Sequence, residues 1–248
     1  MATTEGNQVC QVWQTTELAQ TYLEGVRGAI PLAAVQLELL WRLIALGNLQ
    51  VKTFLDLGCG DGILGRTIHQ HYPQAKGIFL DLSESMLQAA KDKAICLENC
   101  EFVLQDFGDR RWRDGVNHAA PFEVIVSGFS IHHQPDQRKR EIYGEIYELL
   151  VPGGIFLNLE HVASHSPLGQ QAFDELFVDS LLDFHQRQGN PQSRAEIDQQ
   201  YYNRQDKIAN ILAPVEGQCD WLRQIGYIDV DCYFKLLEIA LLGGRRPL

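Results

Sequence analysis

The sequence has no run of about eighteen uninterrupted apolar residues, the length a membrane span requires. Its opening, MATTEGNQVCQVW, lacks a basic segment followed by an apolar one. A soluble, unexported, cytoplasmic protein is expected. Positive charge is scarce, with 21 Lys and Arg against 32 Asp and Glu and a formal net charge of −11. Because neutralising phosphates takes clustered cations, a broad nucleic-acid surface is not expected, and only a local basic groove stays open. The six cysteines include no CxxC pair, so they read as reduced thiols. Cys96 and Cys100 form CxxxC, but Val103 stands where a third cysteine would complete an iron-sulfur signature. Glu160, His161 and His165 are ligating types without metal-ligand spacing, so no metal is expected. No internal repeat or low-complexity tract is visible either.

What is present is length and apolar content for one sizeable core: 248 residues, 45% hydrophobic. One domain carrying an insertion is expected over residues 1–248. After Gln50, short apolar runs alternate with helical periodicities, the pattern of a parallel sheet wrapped by helices. Lys52 to Leu57, Lys76 to Asp81, Glu101 to Gln105, Phe122 to Ser127 and Ile155 to Leu159 read as successive strands, the last entered through a Pro152-Gly153-Gly154 turn. Helices are expected from the glycines to about Tyr72, after Ser83 as cap with Met86, Leu87, Ala90 and Ala94 inward, and from Gln137 to Leu150. Two segments interrupt the alternation. Residues 10–50 read as an N-terminal helical cap with Val35, Leu39, Leu43 and Leu46 as its buried stripe. Residues 161–215, with Phe173, Phe177, Phe184, Tyr201 and Tyr202, read as a helical lid over the carboxyl ends of the strands, since a structureless loop that long is improbable. Residues 51–160 form the core between them. Residues 216–248 supply a final helix and, over Tyr227 to Leu242, two apolar strands that close the sheet as an antiparallel hairpin.

In such a sheet ligands bind beyond the carboxyl ends of the strands at the switch point, here the Gly58-Cys59-Gly60-Asp61-Gly62 turn. Asp81, about 20 residues downstream at the end of the second strand, is placed to bond both ribose hydroxyls of an adenosine. Dinucleotide enzymes share these features, and Gly60 to Gly65 also satisfies GxGxxG. Asp56 breaks the tie. A carboxylate before the turn, with Asp61 inside it, repels a diphosphate and attracts the amino group and sulfonium of a methionine moiety. Gln105-Asp106-Phe107 adds an acceptor for an adenine amine and a ring beside the base, while a plain strand-end cap remains the other reading of Asp106.

LDLGCGDG at Leu55 to Gly62, the acidic Asp81 and the Asp106 step resemble the successive cofactor motifs of class I S-adenosylmethionine-dependent methyltransferases. SGFSIHH at Ser127 to His133, LVPGG at Leu150 to Gly154 and the ending from Trp221 to Arg245 are similar to a subgroup laid out like the carboxy-S-adenosylmethionine synthase that serves tRNA wobble-uridine modification. The resemblance implies a Rossmann-like seven-stranded, mostly parallel sheet with helices on both faces. It implies S-adenosyl-L-methionine as cofactor, with Gly58 and Gly60 around its methionine part, Asp81 on the ribose, and Asp106 with Phe107 at the adenine. Tyr22, Arg27 and Pro31 resemble a signature of the subgroup in which the cap folds over the methionine end; a plain helical surface is the other reading of Tyr22 and Arg27. Cys59, Leu82, Met86, Ser127 and Gly128 complete the expected cofactor set.

His132 and His133 follow strand four, where an acceptor must approach the sulfonium, and either imidazole could take a proton from the nucleophile or simply pack at the cofactor's edge. If the segment is extended, Ile131 and His133 share a face, which favours His133 as base. The expected reaction is methyl transfer to an O, N, S or C atom of a small-molecule acceptor. Lid aromatics are expected to shape the pocket, and a homodimer is left open. Three other readings remain: a carboxylated-cofactor synthase with Arg204 near the extra carboxylate, a NAD-dependent oxidoreductase, and a scaffold without turnover.

Overall fold

The computed structural model describes residues 26–94, 99–204, 207 and 209–248, with only the backbone of 26 and 27. Parallel strands β1 (Thr53–Leu57), β2 (Lys76–Asp81), β3 (Cys100–Leu104), β4 (Phe122–Gly128) and β5 (Leu150–His161) alternate with helices α2 (Ile63–His71), α3 (Glu84–Lys93) and α4 (Asp136–Leu149). Helix α1 (Ala33–Leu46) precedes them. Helices α5 (Pro167–Arg187), α6 (Arg194–Tyr202) and α7 (Val215–Ile225) then lead to the antiparallel hairpin β6 (Ile228–Leu236) and β7 (Ile239–Arg245). The seven strands form one sheet in the order β3-β2-β1-β4-β5-β7-β6. Connectivity reverses beside β1, so the ends of β1 and β4 part there and open a crevice.

Strand side chains alternate across the sheet, and β1 is buried on both faces, as a central parallel strand must be. Phe54, Phe79, Val124, Val126 and Leu157 join Leu40, Ile68, Leu87 and the inner face of α5 in one core; Leu55, Ile78, Leu80, Ile125 and Phe156 join α4, α7 and Trp112 in the other. Burying each such side chain is worth about 1.5–3 kcal/mol, so both helical layers are held mainly by these contacts. Ser83 caps α3 by accepting from the Met86 N–H, with Met86, Leu87 and Ala90 buried, while Ala94 falls at the helix end.

Four expectations need correction. The buried stripe of α1 is Gln36, Leu40 and Ile44, whereas Val35 and Leu46 are 45% and 76% exposed. A polar residue faces inward because Gln36 Nε2 donates to Pro31 O at 2.7 Å. Pro152 to Gly154 lie within β5, whose pairing with β4 already begins at Phe122–Leu150 and slips by a bulge before Val124. Ile131–His133 is a turn of 3₁₀ helix rather than an extended segment. Most aromatics of 161–215 serve the core: Phe173, Phe177 and Tyr201 are buried and Phe184 fills the space over Gly28, where a Cβ would meet its ring at 2.1 Å, while Tyr202 is 50% exposed. The 209–213 stretch does reach the strand ends, with Ile211 N donating to His132 O and Ala163 N to Ala213 O.

Candidate functional site

The turn after β1 is held by its own acids. Asp56, 1% exposed, accepts from Gly65 N in the first turn of α2 at 2.8 Å. A helix N-terminus is where a diphosphate would seek amide donors, and here a side-chain carboxylate already takes one. Gly65 is needed for the approach, since a Cβ there would stand 2.4 Å from the Phe79 ring. Gly58 has φ +65°, and its Cβ would fall 2.3 Å from Ser130 Oγ. Gly60 has φ +53° with nothing within 4 Å of the missing Cβ, so bare backbone faces open space. Beside it, Asp81 Oδ2 accepts from Gly60 N at 2.8 Å and Oδ1 from Ser83 N at 2.9 Å. Burial pushes the Asp81 carboxyl up to about 6, with Asp106 adding and the N–H groups of Ser83, Gly60 and Leu82 opposing. The field at the turn is negative: the Cys59 thiol is raised well above its usual range by burial first, then by Asp81, Asp56 and Asp61. Asp61 itself is partly offset by Lys93 at 2.9 Å and Arg66 at 3.6 Å, so it contributes less repulsion than its position in the turn implied.

Above the strand ends lies a cleft with about 590 Å³ of empty space when the solvent at its open mouth is counted. Gly58, Gly60, Asp81, Leu82, Met86, Phe107 and Gly128 line it, as do three residues the sequence reading missed, Phe129, Ser130 and Gln134; His133 closes one side. Phe129 adopts φ +51°, a rare state for an aromatic residue and invisible in the sequence. An adenosine fits this lining: Leu82, Met86 and Phe107 are apolar walls for a base, and Asp81 is an acceptor for vicinal hydroxyls. Cys59 lies with Asp56 in a side recess that shares Gly58, Gly60, Gly128 and Phe129 with the cleft.

Ser127 and Asp106 both bond to backbone groups. Ser127 is fully buried, and its hydroxyl donates to Leu57 O at 2.8 Å while meeting Ser130 Oγ at 2.9 Å, tying β4 to β1 instead of lining the cleft. Asp106 closes a local turn, its Oδ1 accepting from Gly108 N at 2.7 Å, and Phe107 next to it is the residue that lines the cleft. Tyr22 lies outside the described residues, as does the side chain of Arg27. Arg204 stands over the Phe177 and Tyr201 rings, 5.9 and 5.7 Å from their centroids, and is not among the cleft-lining residues.

The two histidines are buried side by side, ring centroids 4.0 Å apart. His133 reaches the cleft, with Nδ1 at 3.5 Å from Ala209 O. His132 Nδ1 stands 2.5 Å from Glu160 Oε1. Glu160, on β5, also accepts from His161 N at 3.0 Å and Asn158 Nδ2 at 3.2 Å. Burial pushes its carboxyl up to about 7 despite those bonds and the nearby charges of Lys139 and His133. His161 pairs with Glu238 at 2.9 Å and His165 with Glu216 at 2.9 Å, so the three residues weighed as metal ligands turn to three different partners. Among the described residues no group of three or more His, Cys, Asp or Glu could hold a metal ion.

Comparison with known proteins bears on this cleft. Residues 54–154 match the family model described as a methyltransferase domain. Over 226 residues the chain is 26% identical to the carboxy-S-adenosyl-L-methionine synthase of a Nitratiruptor species, covering 88% of this chain and 86% of that one. Among solved structures, an O-methyltransferase family protein from Burkholderia thailandensis superposes with a TM-score of 0.56 at 18% identity, over 85% of this chain and 57% of that one. Human N-acetylserotonin methyltransferase, solved with S-adenosylmethionine, gives 0.51 at 16% identity, over 86% and 56%. The chain spans little more than half of these two solved proteins, and at such identity the likeness concerns the fold. No helix among the described residues is long and apolar enough to cross a membrane.

Proposed function

We propose that this chain, which has the fold of the class I S-adenosylmethionine-dependent methyltransferases, moves a methyl group from S-adenosyl-L-methionine to an O, N, S or C nucleophile of a small-molecule acceptor. The observation that carries the reading is the turn after β1: a bare backbone at Gly60, a negative field, and a helix amide already occupied by Asp56. Such a turn attracts a cationic adenosine ligand and competes poorly for a diphosphate, which disfavours a NAD-dependent oxidoreductase.

When bound, the cofactor supplies an electrophilic methyl group on a sulfonium. The chain's residues do the rest. Gly58, Gly60 and Gly128 let backbone approach the methionine part beside Cys59 and Asp56. Asp81 accepts from the ribose hydroxyls; Leu82, Met86 and Phe107 enclose the base, with Asp106 as candidate partner of its amine. Holding two reactants in line supplies much of the rate, and excluding water preserves the field. His133, at the cleft wall, is assigned the proton of an acceptor whose nucleophile must lose one, and His132, held by Glu160, sets its neighbour's surroundings. Residues 51–160 serve as the core and 161–215 as cover over the strand ends, supported by the contacts of Ile211 and Ala213 there. A cytoplasmic location is supported by the excess of acidic residues and the free thiols of Cys59, Cys100, Cys219 and Cys232.

A second reading, synthesis of a carboxylated cofactor from S-adenosylmethionine and prephenate, is favoured by one finding: the similarity to the synthase runs through 88% of the chain instead of stopping at residue 154. That reading needs a cation for the extra carboxylate, and Arg204 is the candidate, although it stands over aromatic rings outside the lined cleft. Mass spectrometry of the nucleoside that co-purifies, followed by an acceptor screen for S-adenosylhomocysteine release, tests both. Release with a small acceptor supports methyl transfer. A carboxylated sulfonium, lost in Arg204→Ala, replaces the first reading with the second; a bound nicotinamide dinucleotide removes both.

A further inference from the structure

The loop after β3 is laced to α4 by one stripe of side chains. Positions 138, 141, 145 and 148 recur at intervals of three and four, so they share a helix face. Arg138, 8% exposed, donates through Nη2 to Phe107 O at 2.8 Å and Asp109 O at 3.4 Å, and through Nε to Gly108 O at 3.2 Å. Three consecutive carbonyls thus converge on one guanidinium. Glu145 braces it from behind with two parallel bonds, 2.7 Å to Nη1 and 2.8 Å to Nη2, and Glu141 adds a third at 3.3 Å. Glu145 also accepts from the buried Trp112 Nε1 at 2.6 Å, Arg110 reaches Glu141 at 2.8 Å, and Arg113 pairs with Glu148. Two residues ahead of α4, Gln134 fills the space over Gly108, its amide 3.2 Å from where a Cβ would be.

A guanidinium has five donors in a fixed plane and no acceptor, so a buried one imposes geometry on whatever carbonyls satisfy it. Here those carbonyls belong to Phe107, which lines the cleft, and to its two successors. We propose that Arg138 is a positioning residue for base recognition: it fixes the backbone of 106–109 so that the Phe107 ring and the Asp106 carboxylate meet the adenine in one arrangement. The inference rests on the assignment of that segment to the base, and it places the determinant of base selectivity on a helix that itself never touches the nucleoside.

Isothermal titration with S-adenosylhomocysteine and with S-inosylhomocysteine, which replaces the exocyclic amine with a carbonyl, tests it. Wild type is expected to prefer the adenine ligand by about tenfold or more, the cost of losing one hydrogen bond and leaving an acceptor unpaired. In Arg138→Gln the preference falls to about threefold or less, and in Arg138→Lys, whose single ammonium cannot hold three carbonyls, it is intermediate. A variant that melts lower yet keeps the full preference reduces Arg138 to a structural residue and overturns the inference. Equal affinity of the two ligands for wild type overturns the assignment of 106–108 to the base instead. Should Arg138→Gln fail to fold, Arg138→Lys and Glu145→Gln carry the same comparison.

Discussion

Two groups of side chains stand at the carboxyl ends of the strands, one after β1, β2 and β3 and one after β4 and β5, and both include acids. Around the first, three acids accept from backbone N–H groups, Asp56 from Gly65, Asp81 from Gly60 and Ser83, Asp106 from Gly108, while Asp61 pairs with Lys93 and Arg66. Around the second, acids meet imidazoles: Glu160 holds His132 and Glu238 holds His161. Amide donors never change protonation near neutral pH, whereas an imidazole does. The difference fits the proposed division between holding a nucleoside and taking a proton from a protic nucleophile.

The largest effect should come from spoiling the holder. Gly58→Ala adds a Cβ 2.3 Å from Ser130 Oγ at a backbone angle of +65° that disfavours any side chain, and titration should find affinity for S-adenosylhomocysteine reduced by about 100-fold or more. Retained affinity would mean that the turn adapts and is no rigid holder. Next in size, His133→Gln should lower kcat by about 100-fold while leaving that affinity within about twofold, because His133 closes one wall of the cleft whereas the nucleoside is assigned to Gly58, Gly60, Asp81 and Phe107. A greater kcat loss in His132→Gln than in His133→Gln would exchange the two roles.

The smallest effects concern pH. Burial holds Glu160 at about 7 and Asp81 at about 6, both above ordinary carboxyl values. A carboxyl with a raised folded pKa binds its proton more tightly folded than unfolded, so its stabilising share is complete below the unfolded value and is lost as pH climbs through 6 and 7. Thermal melts of the ligand-free protein between about pH 5 and 8 should fall by several degrees, and less steeply in Glu160→Gln. Parallel slopes would take Glu160 out of the account. Over the same range, affinity for S-adenosylhomocysteine should rise with pH through about 6, since ribose hydroxyls donate best to the ionised Asp81.

Much of this was legible in the residues because it rests on local rules. The apolar run Lys76 to Asp81 is a strand with those same ends, the hairpin after Tyr227 is present, and Ser83 caps its helix. The glycine turn and Asp81 meet as the motif implied. What the sequence hid was set by partners distant along the chain. Gln36 faces the core only because Pro31 offers a carbonyl, which turns α1 by one position from the stripe that hydrophobicity alone selects. Ser127 looks like a site residue until Leu57 O claims its hydroxyl. Phe173, Phe177 and Tyr201 have the spacing of a pocket wall, yet burying them in the core is the larger gain. Arg138 gave no signal at all, since a charged residue on a helix is ordinarily solvated, and only the loop after β3 makes it otherwise.

The position of β7 has a consequence for how the protein is born. It lies between β5 and β6, pairing with β5 from Ile155–Arg245 to His161–Ile239, so a segment synthesised late is inserted into the interior of the sheet. On the ribosome, the strand that carries Glu160 therefore keeps an unpaired flank until residues 239–245 have cleared the exit tunnel. The strands β2 and β3 that flank the glycine turn are synthesised well before then, so the part of the sheet proposed to hold the nucleoside can assemble before the part that carries Glu160.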